Sequence, residues 1–164
     1  TLINNSWTAE LNGTVALGAA SACDPLSIDS IFDPVLAAYD SVGVDQGEYT
    51  NSQSNKCDFK DTVKTYSSFT CSNADLEVEG DVTLYVKGDF ELNNAPLKVK
   101  GNDSVLKVYA GSVNGEAYDG NVIITNDSEE QWDLKGSVSF YTANDFFLEN
   151  TKLQFQGPNP TLAV

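Results

Sequence analysis

Two stretches of this chain repeat each other. Gly80-Asp-Val-Thr-Leu-Tyr-Val-Lys-Gly-Asp-Phe-Glu-Leu and its continuation to Gly101 align without a gap on Gly136-Ser-Val-Ser-Phe-Tyr-Thr-Ala-Asn-Asp-Phe-Phe-Leu and its continuation to Gly157. Nine of the 22 pairs are identical, where roughly one or two would match by chance. Position 80 meets position 136, an offset of 56 residues. Self-similarity at a fixed offset marks a repeat architecture. Within the first copy Val82, Leu84 and Val86 alternate with Thr83, Tyr85 and Lys87, and Phe90, Leu92, Leu97 and Val99 continue the apolar set. Val138, Phe140, Phe146, Leu148, Leu153 and Phe155 hold the same places in the second copy, and Leu76 and Val78 map backwards onto Trp132 and Leu134. Period-two alternation over short runs reads as half-buried strands. Gly88-Asp89 and Asn93-Asn94-Ala95-Pro96 separate them with turn chemistry.

Three short strands per unit, one buried face and a recurring glycine corner predict a mainly β chain. The form expected is a short β-solenoid, parallel β-helix-like, over residues 74–164. A degraded middle copy lays Leu106, Val108 and Tyr109 on Val82, Leu84 and Tyr85, with Val122 and Ile124 as a later inward pair. The offset then spans two coils, in keeping with stacked repeats. The alternative is an antiparallel β-sandwich, which such close self-similarity disfavours.

Residues 1–73 lack the repeat and read as an N-terminal cap packed with the solenoid as a single domain. Trp7 to Leu11, Asn12-Gly13 and Thr14 to Leu17 predict a hairpin with a two-residue turn. Ile28, Ile31, Phe32, Val35, Leu36 and Tyr39 fall at helical spacing, and Asp33-Pro34 divides them into one or two short helices. Such a cap would cover an exposed solenoid end. The polar stretch from Gly43 to Lys56 is expected to be a surface loop.

Nine lysines, no arginine, no histidine and 24 acidic residues give a formal charge of −15. That charge repels phosphate backbones and anionic membranes, so no nucleic-acid partner is expected. No apolar run reaches the length of a membrane span, so no membrane contact by this fragment is expected either. The chain begins at Thr1 rather than Met, which fits removal of a leader or anchor. Three cysteines point to an oxidising compartment. Cys57 and Cys71 are candidates for a disulfide closing a loop of about 15 residues, with Cys23 unassigned, either free or an alternative partner. The lack of histidine and of a Cys-x-x-Cys spacing argues against zinc.

The same composition leaves little for catalysis. A nucleophilic triad lacks its base, and with 24 acids any pair of carboxylates is uninformative. We therefore expect no enzyme, with a polysaccharide-active one as the third-ranked reading. Asp89 and Asp145 occupy equivalent repeat positions. A calcium ladder is one reading, and an aspartate bonded to backbone amides at a coil corner is the preferred one. Asn94 and Asn150 are likewise read as a corner ladder, and Asp127 to Asp133 as an inserted acidic loop. Tyr85, Tyr109 and Tyr141 should lie outward on one face. They would either stack against sugar rings, as in a carbohydrate-binding module, or simply pack against strand neighbours.

The string Val82-Thr-Leu-Tyr-Val-Lys-Gly-Asp-Phe-Glu-Leu-Asn-Asn, leading to Leu106-Lys-Val-Tyr-Ala, and the later Gly136-Ser-Val-Ser-Phe-Tyr-Thr-Ala resemble repeat segments of certain bacterial surface proteins. These are proteins associated with type IV and mannose-sensitive haemagglutinin pili, MshQ- or PilX-like, and the resemblance covers roughly residues 76 to 157. It implies export, a cell-surface or pilus location, and a structural or adhesive role, such as that of a minor pilin or pilus-associated ectodomain. The partners it implies are other pilus or surface subunits, or host and environmental glycans. No cofactor is expected beyond the calcium considered above.

Overall fold

A computed structural model describes residues 2–4, 9–10, 14–16, 44–51, 56–113, 116–117 and 119–164. Their strands, in chain order, are β1 (Leu2–Asn4), β2 (Ala9–Glu10), β3 (Thr14–Ala16), β4 (Glu48–Asn51), β5 (Lys56–Tyr66) and β6 (Ser68–Ser72). Next come β7 (Asp75–Val86), β8 (Phe90–Asn93), β9 (Leu97–Val99), β10 (Val105–Ala110), β11 (Ser112–Val113) and β12 (Glu116–Ala117). The last are β13 (Val122–Thr125), β14 (Glu130–Leu134), β15 (Ser137–Thr142), β16 (Phe146–Leu148), β17 (Thr151–Phe155) and β18 (Thr161–Ala163).

Every pairing is parallel except that of β11 with β12. Parallel stacking of successive short strands is a β-solenoid, which removes the sandwich alternative. Its cross-section has three faces. The short-strand face stacks β4, β6, β8, β13, β16 and β1. A second face, rich in lysine, stacks the first halves of β5 and β7 with β9, β14, β17 and β2. The third, carrying the tyrosines, stacks the second halves of β5 and β7 with β10, β15, β18 and β3. Val82 pairs with Leu106 and Leu106 with Val138. The first step is 24 residues (82 to 106) and the second 32 (106 to 138), so the offset of 56 is two coils. The longer step carries the small β11–β12 ribbon.

The inward set fills the interior. Leu76, Leu84, Leu92, Leu97, Leu106, Ile124 and Leu134 are fully buried. An aromatic line runs along the axis: Tyr49 stacks on Phe69 at 4.6 Å, Phe69 on Phe90 at 4.8 Å, and Phe140 contacts Phe90, Trp132 and Phe146. The corner between the second and third faces is made by glycine. Gly80 has φ +73, and a Cβ there would lie 1.8 Å from Asp61 Oδ1, so only glycine suits both the backbone and the space. Asp61, itself at φ 40, bulges β5 opposite this corner and shifts the register between Lys60 and Thr62.

Several expectations change. The solenoid does not begin at residue 74. Residues 48–72 are coils, because Cys57, Phe59, Phe69 and Cys71 alternate inward like the later repeats. Within the expected loop 43–56, Glu48–Asn51 is a strand whose Tyr49 packs on the core. The N-terminal hairpin gives way to coil strands: β2 pairs in parallel with β17 and β3 with β18. The expected turn residues Asn12-Gly13 themselves lie outside the described residues. Glu130–Leu134 is a strand and not part of an inserted loop, since Trp132 and Leu134 are core residues. The helical stripe Ile28 to Tyr39 and Cys23 lie outside the described residues.

Candidate functional site

The tyrosines form the ladder that the repeat implies. Tyr85, Tyr109 and Tyr141 are register partners in β7, β10 and β15. Their rings stack at 5.0 Å and 4.5 Å, within 12° and 11° of parallel. Offset-stacked aromatic pairs favour such spacing. The ladder is buried at its Tyr85 end. Tyr85 is 5% exposed and its register partner Thr65 is 2% exposed, although both occupy outward strand positions. Burial raises the phenol pKa of Tyr85 and pushes that of Tyr109 up to about 12, with the neighbouring phenolates of Tyr141 and Tyr85 adding to the shift. Tyr109 and Tyr141 are half-buried, so their exposed edges, rather than the stacked ring faces, are what the ladder offers to solvent. The ladder therefore ties coils together.

The corner residues do the same. Asp89 Oδ1 accepts hydrogen bonds from the backbone N–H and the side-chain amide of Asn121, both at 2.8 Å. The N–H of Asp145 donates to Asn121 Oδ1 at 3.2 Å. Asp89, Asn121 and Asp145 are thus three rungs of one corner. Calcium requires six to eight oxygens, and among the described residues no group of three or more acidic, cysteine or histidine side chains is placed to hold a metal. At the opposite corner Asn73, Asn94 and Asn150 all adopt positive φ, at 52, 51 and 50°. Asparagine tolerates that region because its amide bonds locally. Asn94 donates to Asp127 Oδ2 and accepts from the Asp127 N–H, and Asn150 donates to the Asn126 carbonyl.

Sequence reasoning missed the charge network on the lysine face. Glu77 is 8% exposed and receives Lys56 at 2.9 Å and Lys100 at 2.5 Å from the strands on either side. Those two hydrogen bonds, Lys100 first, hold its carboxyl down at about 2 against burial, which opposes them. Lys98 pairs with Asp75, and Lys60 with Glu79 at 2.5 Å. Strand registry sets these partners: Lys60 and Glu79 are directly opposite, while Lys56–Glu77 and Lys98–Asp75 are diagonal neighbours, since Lys56 lies beside Asp75 and Glu77 beside Lys98. Five of the nine lysines (56, 60, 98, 100 and 152) belong to this face. Alternation of polar positions was the available signal, but the pairing required the register. Cys57 and Cys71 form the expected disulfide, fully buried and linking the first coil to the second.

The fold and these ladders define a parallel β-solenoid protein. No family model, curated protein or solved structure matches the chain. Among the described residues no helix is long and apolar enough to cross a membrane.

Proposed function

We propose that this chain is a non-catalytic structural module, secreted or displayed on the bacterial cell surface, within or attached to a pilus-like appendage. The observation that carries the proposal is the ladder network. The five coils between β4 and β18 lie in parallel register and bond to one another through ring stacks, corner amides and cross-strand ion pairs. Side chains committed to neighbouring coils stiffen a rod and leave few groups poised for chemistry. A quasi-one-dimensional stack suits a spacer or a subunit of an extended assembly. The buried disulfide fits an oxidising compartment, and the repeat's resemblance to pilus-associated segments supports the location.

Gold-labelled antibodies against the folded chain, applied to intact producing cells, test this directly. Label on the surface or along appendages is the expected outcome. Label confined to the cell interior would overturn it, as would turnover of a polysaccharide by the purified chain that persists after dialysis against chelator.

A further inference from the structure

The coil order is not the chain order. The N-terminal coil, β1 to β3, stacks beyond the C-terminal coil, β16 to β18, while β4 starts the opposite end. All three faces agree on this placement: Leu2 to Asn4 on Phe146 to Leu148, Ala9-Glu10 on Leu153-Gln154, and Thr14 to Ala16 on Thr161 to Ala163. The sequence independently marks this segment as a member of the repeat. Ala9-Glu-Leu-Asn-Gly13-Thr-Val-Ala-Leu17 repeats the corner of Leu76-Glu-Val-Glu-Gly80-Asp-Val-Thr-Leu84 and of Trp132-Asp-Leu-Lys-Gly136-Ser-Val-Ser-Phe140. The sequence of residues 9–17 is therefore of the same repeat kind as the later coils.

We propose that this closing coil is exchangeable, and that the C-terminal edge of one molecule accepts β1, β2 and β3 of a second copy. Three physical features lead there. The coil is joined to its neighbour by strands of only three, two and three residues, so it belongs to the least protected part of the stack. In sequence, residues 17–47 separate β3 from β4, and a connection of that length is long enough to span the stack within one chain and between two chains alike. When the coil leaves, β16, β17 and β18 present three open strand edges, which are templates for parallel pairing. The occupant they fit best is the coil they already hold, and exchange of an identical element is a low-cost route to association.

Closure within one chain acts at an effective concentration on the order of millimolar. Exchange should therefore be minor in dilute solution and substantial where copies are crowded on a surface. The charge of −15 on each copy opposes association, so added salt should favour exchange. The proposal stands on strand pairing alone and does not depend on the function proposed above.

Cysteine pairing tests it in a Cys23→Ser background. Ile3 and Phe147 are register partners, about 4.8 Å apart as adjacent strands, which a disulfide can bridge. The double variant Ile3→Cys/Phe147→Cys should oxidise within one chain in dilute solution. An equimolar mixture of the two single variants should give covalent dimer, rising with protein concentration and with salt. Its yield should exceed that of a control mixture of Ile3→Cys with Val63→Cys, at the opposite end of the stack, by about tenfold at millimolar protein. No dimer above the control, alongside efficient closure in the double variant, would overturn exchange. Failure of the double variant to close within one chain would overturn the placement of the coil and the proposal with it.

Discussion

Glu77 offers the sharpest energetic test of the lysine face. Its carboxyl is nearly buried and bonded on both sides by Lys100 and Lys56. Its pKa falls from an ordinary 4.5 to about 2 in the folded chain. A carboxyl depressed by folding contributes stability that is fully present above its unfolded pKa and is lost as pH falls through its folded pKa. The window therefore runs from about pH 4.5 down to about 2. The full drop corresponds to a ceiling of about 3 kcal/mol. Both lysine side chains are 48% exposed, so solvent screening should reduce this to about 1–2 kcal/mol. The assay is urea unfolding of the native chain and of Glu77→Gln at a series of pH values. The other carboxylates titrate in both proteins, and their contributions largely cancel in the difference. Glu77→Gln should be less stable by about 1–2 kcal/mol at pH 7, with the gap narrowing below pH 4.5. A gap that is absent at pH 7, or undiminished at pH 2, would refute the bridging role of Glu77.

Other consequences follow from the packing. Replacing Cys57 and Cys71 together by alanine should lower stability by about 3 kcal/mol, the loop-closure value for a short loop, read as a lower urea midpoint; an unchanged midpoint would contradict the disulfide. Gly80→Ala should cost more than Gly47→Ala. Both glycines have positive φ, but a Cβ at 80 meets Asp61 at 1.8 Å whereas nothing lies within 4 Å at 47. Equal costs, each about 1 kcal/mol, would mean the Gly80 corner is not tightly packed. In alkaline titration followed by phenolate absorbance, Tyr109→Phe should remove a step near pH 12. Loss of a step near the ordinary value of 10.0 instead would place Tyr109 in solvent.

How much of this was readable in advance depended on whether a signal was local or needed a neighbour. The inward columns were legible because apolar alternation is a property of each strand alone. The middle copy was legible too, since Leu106, Val108 and Tyr109 pair with Val82, Leu84 and Tyr85 as the alignment implied. The N-terminal coil was not, because Asn-Gly between two alternating runs is a strong local sign of a hairpin. Only the parallel pairing of β2 with β17 and of β3 with β18 sets these strands apart from a hairpin, and the likeness of Gly13–Leu17 to Gly80–Leu84 is the sequence signal for it. The first coils were hidden by polarity. Lys56, Asp58, Lys60 and Lys64 make the stretch look like a surface segment, yet Cys57 and Phe59 between them face the core. The tyrosines were correctly aligned, but the burial of Tyr85 was not legible, since outward position on a strand does not reveal what packs over it. The partners of Glu77 come from strands 21 and 23 residues away, so they emerge only once the register is known.

The central claim is that six coils stack in parallel with the N-terminal coil last. One column on the tyrosine face tests it: Val63, Thr83, Lys107, Ser139, Ala163 and Ala16 are successive register partners. Spin labels on cysteines placed at 16 and 163, in a Cys23→Ser background, should show the strong dipolar broadening of strands about 5 Å apart. Labels at 16 and 63 should instead be separated by five strand spacings, about 24 Å. The opposite pair of results, with 16 close to 63 and far from 163, would put the N-terminal coil at the head of the stack and contradict the account.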